Sequence, residues 1–200
     1  MKEILQYHNK LIDAQGVQHA TGFSRNGQTA RFDVIRSLLE GENISVLDYG
    51  CNVGGFLKHL ISGMLSKKFS YKSISYLGVD INYEFILQAR RNWKDSLFQQ
   101  GDILDDQFFR HMKAFEYVIA SGIFCYEVGE NPRQRNREII SRLWAKTERT
   151  LIFNMLKSSK TKNLLYKPED MVGELNFIKY SKIQLIENYL PNDFTVVLKR

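Results

Sequence analysis

The sequence predicts an α/β fold in which helices cover both faces of a largely parallel sheet. Runs of apolar, β-forming residues recur along the chain, and segments with helical spacing of apolar residues lie between them. A glycine-rich turn directly follows the first of these runs. The predicted strands are ISVLDYG, ISYLGVDI, LFQQGDI, FEYVIAS and TLIFNML. This alternation of strands and helices is the pattern of a doubly wound sheet.

The remaining elements follow from the same patterns. Two helical segments, about 2–14 and 28–40, precede the first strand, with GVQHATGFSRNG between them. The helices between the first three strands are GGFLKHLISGMLSKK and NYEFILQARRNWK. Pro168, followed by acidic residues, predicts the start of a further helix. The turn signal PND at 191–193 separates two final strands, which predicts an antiparallel hairpin that closes the sheet.

Length and composition indicate one domain. A chain of 200 residues with 44% hydrophobic and 25% charged residues can bury one core, so residues 1–200 are expected to form a single unit. No apolar run approaches the roughly 18 residues that cross a bilayer, and the N-terminus lacks the apolar core of a signal peptide. A soluble, cytoplasmic protein with no membrane partner is therefore expected.

The cysteines and histidines lack the spacing of a metal site. Cys51 and Cys125 form no CxxC pair, which argues against a disulfide framework and fits a reducing compartment. The four histidines also lack metal-ligand spacing, so we predict no metal.

The net charge of +6 is concentrated in one segment. Residues 132–162 hold nine Lys and Arg against Glu138 and Glu148, a net charge of +7 that leaves −1 for the rest of the chain. One interpretation is a patch that binds nucleic acid or an anionic substrate. The interpretation that base rates favour is a solvated helix face followed by a basic loop.

The stretch VLDYGCNVGGF at 46–56 predicts a ligand site at the end of the first strand. Gly50 and Gly54 permit positive φ and a close approach of backbone to a ligand, at the position where doubly wound sheets bind ligands. The stretch lacks the GxGxxG pattern of dinucleotide sites. Asp48, just before the first glycine, would attract an ammonium group and repel a pyrophosphate. The turn therefore suits a cationic ligand without phosphate.

Two further acids end the next two predicted strands. Asp80 in LGVDIN can accept from both ribose hydroxyls, and Asp102 in GDI can reach an adenine amino group. Each Asp alone could equally be a helix N-cap. Together with Asp48, these acids suit a ligand that has an ammonium group, a ribose and an adenine but no phosphate. The sequence therefore predicts S-adenosyl-L-methionine as the cofactor.

These motifs, with FEYVIASGIF after them, resemble the class I S-adenosylmethionine-dependent methyltransferases, and the flanking segments GFSRNGQTARFDVI and NYLPNDFTVVLKR resemble small single-domain bacterial members. The resemblance implies a Rossmann-like, doubly wound sheet of seven strands in the order 3-2-1-4-5-7-6, with strand 7 antiparallel. Residues 1–42 would form an N-terminal helical lid on a core of residues 43–200. Asn52 departs from the GCGxG pattern of the family, but Asn tolerates the left-handed backbone conformation that such a turn needs.

Cofactor contacts are expected from the lid, the glycine turn and the ends of the strands. Arg25, Gln28 and Arg31 are spaced by three residues and could hold the methionine carboxylate, although ordinary surface arginines would give the same pattern. Cys51 is interpreted as a small packing residue of the turn. The full set assigned to the cofactor is Arg25, Gln28, Arg31, Asp48, Gly50, Cys51, Asn52, Gly54, Phe56, Asp80, Ile81, Asp102, Ile103, Ser121 and Gly122.

The predicted activity is in-line transfer of a methyl group to a small molecule. Tyr126 and Glu127 are the candidate bases, because family members place substrate-facing groups after strand four; the alternative is that Glu127 and Glu130 cap the next helix. Tyr7, His8 and His19 would lie over the acceptor pocket, but each His taken singly is interpreted as an exposed surface residue.

Two other functions remain open on the sequence. The first is an RNA or ribosomal methyltransferase that uses the basic 132–162 segment. It is disfavoured for nucleobase amines because ASGIFC stands where an Asn/Asp-Pro-Pro-Tyr motif would follow strand four. The second is a non-catalytic module that binds S-adenosylmethionine.

Overall fold

The structure, a computed structural model, describes residues 2–20, 25–65, 73–127 and 129–200. In these ranges the helices are α1 Lys2–Gln15, α2 Arg25–Ser37, α3 Gly55–Leu65, α4 Tyr83–Asn92, α5 Asp106–His111, α6 Pro132–Ala145 and α7 Met171–Glu174, with a 3-10 turn at Pro168–Asp170. The strands are β1 Asn43–Tyr49, β2 Ser73–Asp80, β3 Leu97–Gln100, β4 Phe115–Ala120, β5 Thr147–Leu156, β6 Lys182–Ile186 and β7 Asp193–Lys199.

The strands form one seven-stranded sheet in the order β3-β2-β1-β4-β5-β7-β6. The first five strands pair in parallel, and β7 runs antiparallel to both β5 and β6. The predicted order and the antiparallel C-terminal hairpin are confirmed. Because strand order reverses between β1 and β4, the carboxyl end of β1 is the point where such sheets bind ligands.

Alternating side chains bury both faces of the sheet. On β4, Val118 and Ala120 belong to the cluster that packs against α6 and α7, whereas Tyr117 and Ile119 belong to the cluster under α2, α3 and α4. Strands that are buried on both sides read as continuous apolar runs, because every residue faces a helix layer. Because both faces are packed, the strands are held in place, and the residues that follow their carboxyl ends have defined positions.

Several elements differ from the patterns. Helix α2 begins at Arg25, three residues before the predicted segment, and α5 has no counterpart in the prediction because six residues show little periodicity. The helix expected from Pro168 amounts to a 3-10 turn and the four-residue α7. Asn131, whose side chain accepts from Gln134 N, caps α6, so the alternative role of Glu127 and Glu130 as caps is wrong.

The N-terminal helix lies across the carboxyl ends of the strands. Ile4 and His8 are its buried residues, and Asn9 Oδ1 accepts a hydrogen bond of 2.9 Å from Asn82 Nδ2 at the start of α4. None of the described helices is long and apolar enough to span a membrane.

Candidate ligand cleft at the carboxyl ends of β1, β2 and β4

A tight turn after β1 forms one wall of the cleft. Gly50, Asn52 and Gly54 all have left-handed backbone, with φ of 84°, 51° and 83°. The N–H groups of Gly50 and Cys51 donate to the carbonyl of Val79 on β2, over 2.7 and 3.0 Å. The expectation that Asn52 tolerates left-handed backbone is confirmed, and the turn is tied to the neighbouring strand.

The two left-handed glycines are required for different reasons. A Cβ on Gly50 would lie 2.4 Å from Ile123 Cγ2, and both residues line the cleft. A Cβ on Gly54 would meet the Trp93 ring at 2.7 Å, away from the cleft. Gly54 is therefore explained by its φ and by packing against Trp93, whereas Gly50 shapes the site itself.

The Asp80 carboxylate is held at the cleft by backbone donors. Its Oδ2 accepts from Asn52 N over 3.0 Å, and its Oδ1 accepts from Asn82 N over 2.9 Å. Burial raises the pKa of Asp80 to about 6, against the opposing effect of these hydrogen bonds. The backbone of Ile81 also stabilises this carboxylate, and since a carboxylate offers about four acceptor positions, Asp80 keeps acceptor capacity for a ligand.

Asp48 is more deeply enclosed than the sequence indicates. Its Oδ2 accepts a 2.6 Å hydrogen bond from the Tyr76 hydroxyl, and only 3% of the residue is exposed. Burial raises the pKa of Asp48 to about 7, with a smaller contribution of the same sign from Asp80. The raised pKa means that this carboxyl group is protonated more readily than an exposed one, and a cationic ligand beside it would favour the charged form.

The cleft consists of two cavities that meet at the glycine turn. Gln28, Gly50, Asn52 and Ser121 line both cavities. Further predicted residues that line the first cavity are Asp80, Ile81, Gly122 and Tyr126. Further predicted residues that line the second cavity are Arg31, Asp48, Cys51 and Phe56.

The second cavity carries both signs of charge. Arg31 and Lys58 line it together with Asp48, and His19 also lies on its wall. Opposite charges within one small cavity are what a zwitterionic amino-acid group would require.

Four predicted site residues line neither cavity. Asp102 Oδ1 accepts from Leu104 N over 2.9 Å and Ile103 is fully buried, while Gly54 and the exposed Glu127 lie outside the walls. The side chain of Arg25 lies outside the described residues. The site roles of these residues stay predictions.

His8, which the sequence places in the segment over the acceptor pocket, lines the first cavity; Arg135 also lines it and was not assigned to the site from the sequence. Only 8% of His8 is exposed, so its interpretation as a surface residue is wrong. The available signal was the spacing of Ile4 and His8, which places them on one face of α1. Arg135 belongs to the basic segment, where sequence gave no reason to separate it from its exposed neighbours.

Arg31 is anchored in the core. Its guanidinium forms an ion pair with Asp193 on β7, which is fully buried. Asp193 Oδ1 also accepts from Asn154 Nδ2 over 2.9 Å, and Asn154 Oδ1 accepts from Gly122 N over 2.8 Å. This network connects α2 to the backbone of the first cavity, and the predicted contact of Arg31 with a methionine carboxylate stays a prediction.

No family model matches the chain, and no curated protein matches its sequence. Solved structures match its fold. A DhpI–SAM–HEP complex matches with a TM-score of 0.68 at 12% identity over 99% of this chain and 96% of that one. The magnesium protoporphyrin IX methyltransferase ChlM from Synechocystis PCC 6803 with bound SAH matches with a TM-score of 0.65 at 14% identity over 87% and 84%.

A third match is a TehB-like SAM-dependent methyltransferase from Corynebacterium glutamicum, with a TM-score of 0.59 at 15% identity over 98% of both chains. At these identities the likeness concerns the fold. The chain has the fold of the class I S-adenosylmethionine-dependent methyltransferases, as the sequence motifs predict.

Proposed function

We propose that the chain is an S-adenosylmethionine-dependent methyltransferase that acts on a small molecule. The observation that carries this proposal is the placement of two buried carboxyl groups, Asp48 and Asp80, in the two cavities that meet at Gly50. One cavity suits the amino-acid end of the cofactor and the other suits its ribose.

The residues present fit this cofactor. Asp80 would accept from both ribose hydroxyls, because its oxygens keep lone pairs that the backbone does not use. Asp48 would face the ammonium group, and a nearby cation would lower its pKa and restore its charge. Ile81, which lines the first cavity, would pack beside the adenine ring; the adenine contacts of Asp102 and Ile103, which line neither cavity, stay predictions. Tyr126, a candidate base from the sequence, lines the first cavity beside this site.

The chain would accelerate transfer by orientation. The cofactor supplies a methyl group on a positively charged sulfur, so no covalent intermediate with the protein is required. Holding the acceptor in line with the methyl carbon can lower the barrier by about 7 kcal/mol or more. The protein's contribution would be to fix both molecules and to exclude water through α1, whose Ile4 and His8 cover the first cavity.

The surroundings of the basic segment support a small acceptor rather than RNA. Arg133 pairs with Glu174, Arg142 with Asp106, and Arg149 with Glu40, each over 2.8 Å. Because carboxylates from outside residues 132–162 lie against these guanidinium groups, the local positive charge around this segment is smaller than its own sequence suggests.

We also propose the domain organisation and the cellular compartment of the protein. We place a single domain of residues 1–200 in the cytoplasm, with residues 1–42 as the cover of the cleft. Both cysteines, Cys51 and Cys125, are free and buried, which fits a reducing compartment.

Transfer of labelled methyl groups from S-adenosylmethionine to a fractionated cell extract would test this function. We expect label in the small-molecule fraction with the wild-type protein and a loss of about 100-fold with Gly50→Ala. The added Cβ would press on Ile123 in a backbone conformation that L residues rarely adopt.

Gly16→Ala is the matched control, because Gly16 has a φ of 78° and, among the described residues, no heavy atom lies within 4 Å of an added Cβ. It should retain transfer. Label that appears in RNA or protein instead, or that persists in Gly50→Ala, would contradict the proposal.

A further inference from the structure

The first cavity contains a hydrogen-bonded pair that cofactor binding does not explain. His8 Nε2 lies 2.9 Å from the Tyr126 hydroxyl, and both side chains line the cavity. The two residues are 118 positions apart, one on α1 and the other in the loop after β4. Asp80 and Ile81 lie on the β2 side of β1, so the β4 side, with Tyr126, remains for the methyl acceptor.

Hydrogen bonding assigns the proton positions in this pair. His8 Nδ1 lies 3.3 Å from the carbonyl oxygen of Ala20, which can only accept, so Nδ1 carries the proton of the neutral ring. Nε2 therefore accepts, and the Tyr126 hydroxyl donates to it. Among the described residues the hydroxyl has no second hydrogen bond, which leaves its oxygen able to accept a proton donor from the cavity.

The rings around His8 fix its orientation. The imidazole makes edge contacts with Phe85 and Tyr126, at centroid distances of 5.3 and 5.6 Å. An imidazole held on several sides keeps Nε2 directed at Tyr126.

A cation and apolar groups complete this part of the cavity. Arg135 on α6 lines it, and its Nη2 donates to the backbone oxygen of Tyr126 over 2.8 Å. Ile4, Ile123 and Ile139 form apolar walls nearby. A guanidinium beside apolar walls suits a carboxylate on a flat hydrophobic body.

We propose that the acceptor is a small phenol that carries a carboxylate, that Tyr126 contacts its hydroxyl group, and that His8 takes the proton while Arg135 binds the carboxylate. This inference rests on the proposed methyl transfer. Tyr126 is then a catalytic residue, and His8 acts through it as the terminal proton acceptor.

The proton transfer balances. The acceptor O–H bond breaks, and its proton moves to the Tyr126 oxygen as the Tyr126 proton moves to His8 Nε2. The acceptor oxygen bonds to the methyl carbon as the methyl–sulfur bond breaks and its electron pair stays on sulfur. The products are a methyl ether, S-adenosylhomocysteine and a protonated His8, which returns its proton to solvent.

The acidities favour a phenol over an aliphatic alcohol. Burial raises the pKa of Tyr126 well above its usual value, so Tyr126 serves as a relay and not as a tyrosinate base. Burial lowers the pKa of His8, which keeps its ring neutral near pH 7 but makes it a weak base. A weak base removes a proton readily only from an acceptor of matched acidity, and phenols with a pKa of about 10 are far closer than alcohols.

The test uses 2-, 3- and 4-hydroxybenzoate as probes, with S-adenosylhomocysteine formation as the measurement. We expect wild type to methylate the oxygen of at least one isomer. Tyr126→Phe and His8→Gln should lower kcat/KM by about 100-fold or more, while the dissociation constant of S-adenosylhomocysteine stays within about threefold. His111→Gln is the control, since His111 is exposed on α5 and its Nδ1 lies 2.8 Å from the Gln107 oxygen of the same helix.

The dependence of the rate on the acidity of the acceptor distinguishes a His8 that acts as a base from a His8 that is only structural. Fluorination makes the hydroxybenzoate more acidic, so the acceptor depends less on a base to remove its proton. The gain in kcat/KM on fluorination should therefore be about tenfold larger in His8→Gln than in wild type. In wild type, kcat/KM should fall on the acid side as His8 becomes protonated. Tyr7 and Tyr126 contact His8, and Asp80 and Arg135 are the charged groups that line the same cavity.

Three results would overturn the inference: no transfer to any hydroxybenzoate by wild type that binds S-adenosylhomocysteine, transfer to 4-aminobenzoate in their place, or an equal loss in His8→Gln for all acceptors. Should His8→Gln fail to fold, Tyr126→Phe, which keeps the ring, decides by the same acidity comparison. Wild type that does not bind S-adenosylhomocysteine would instead refute the proposed function itself.

Discussion

Replacing Asp193 with alanine is expected to lower the free energy of unfolding by about 3 to 5 kcal/mol. The change would leave Arg31, which is 4% exposed, without the carboxylate that pairs with it. It would also remove the acceptor of the hydrogen bonds from Asn154 and Tyr189. Urea denaturation monitored by fluorescence measures the difference.

The ion pair itself should account for much of this loss. Removing both partners, in Arg31→Met with Asp193→Ala, should cost less than the sum of the single changes, because no buried charge is then left without its counterion. Glu187→Ala is the control, since its pair with Lys157 is part-exposed and is worth about 1 kcal/mol at most. Equal effects of Asp193→Ala and Glu187→Ala would show that the buried network does not stabilise the fold.

Asp48→Asn should stabilise the ligand-free protein at about pH 8. Burial raises the pKa of Asp48 from 3.8 to about 7, so the stability that this group contributes is complete below about pH 4 and is lost as the pH rises through about 7. A shift of about three units corresponds to about 4 kcal/mol as an upper limit. The variant and wild type should therefore match near pH 4, diverge progressively between about pH 4 and 7, and keep a constant difference above pH 7 in denaturation experiments.

The same substitution should weaken cofactor binding. Asn cannot provide the charge for an ammonium group, which should cost about 1 to 3 kcal/mol in affinity for S-adenosylmethionine and S-adenosylhomocysteine. Asp95→Asn, at an exposed position, should change neither stability nor affinity. If Asp48→Asn is no more stable than wild type at about pH 8, the raised pKa is wrong; if its affinity is unchanged, Asp48 does not face the ligand.

The sheet could be predicted because its determinants are local in sequence. Each strand is a continuous apolar run between polar segments, and the turn at 191–193 identifies the antiparallel hairpin. The strand order itself came from the family resemblance. Helix α5 was not predicted, and the helical segment at Pro168–Glu174 is shorter than predicted. Elements of one or two turns contain too few residues to show helical periodicity.

The glycine turn and Asp80 could be predicted for the same reason, since their places follow from the ends of β1 and β2. The raised pKa of Asp48 could not, because it depends on burial of the side chain, and the Tyr76 hydroxyl that opposes the shift lies 28 residues away. The His8–Tyr126 and Arg31–Asp193 pairs join positions 118 and 162 residues apart. Single-sequence patterns hold no information on such contacts.

Calorimetric titration of S-adenosylhomocysteine into wild type and Asp80→Asn tests the central claim most directly. We predict binding by wild type in the micromolar range and affinity at least about tenfold weaker in Asp80→Asn, because a charged acceptor of two hydroxyl hydrogen bonds is lost. Both proteins should unfold at similar denaturant concentrations, and NAD should bind neither. Absence of binding by folded wild type, or equal affinity in the two proteins, would contradict a cofactor cleft built around Asp80.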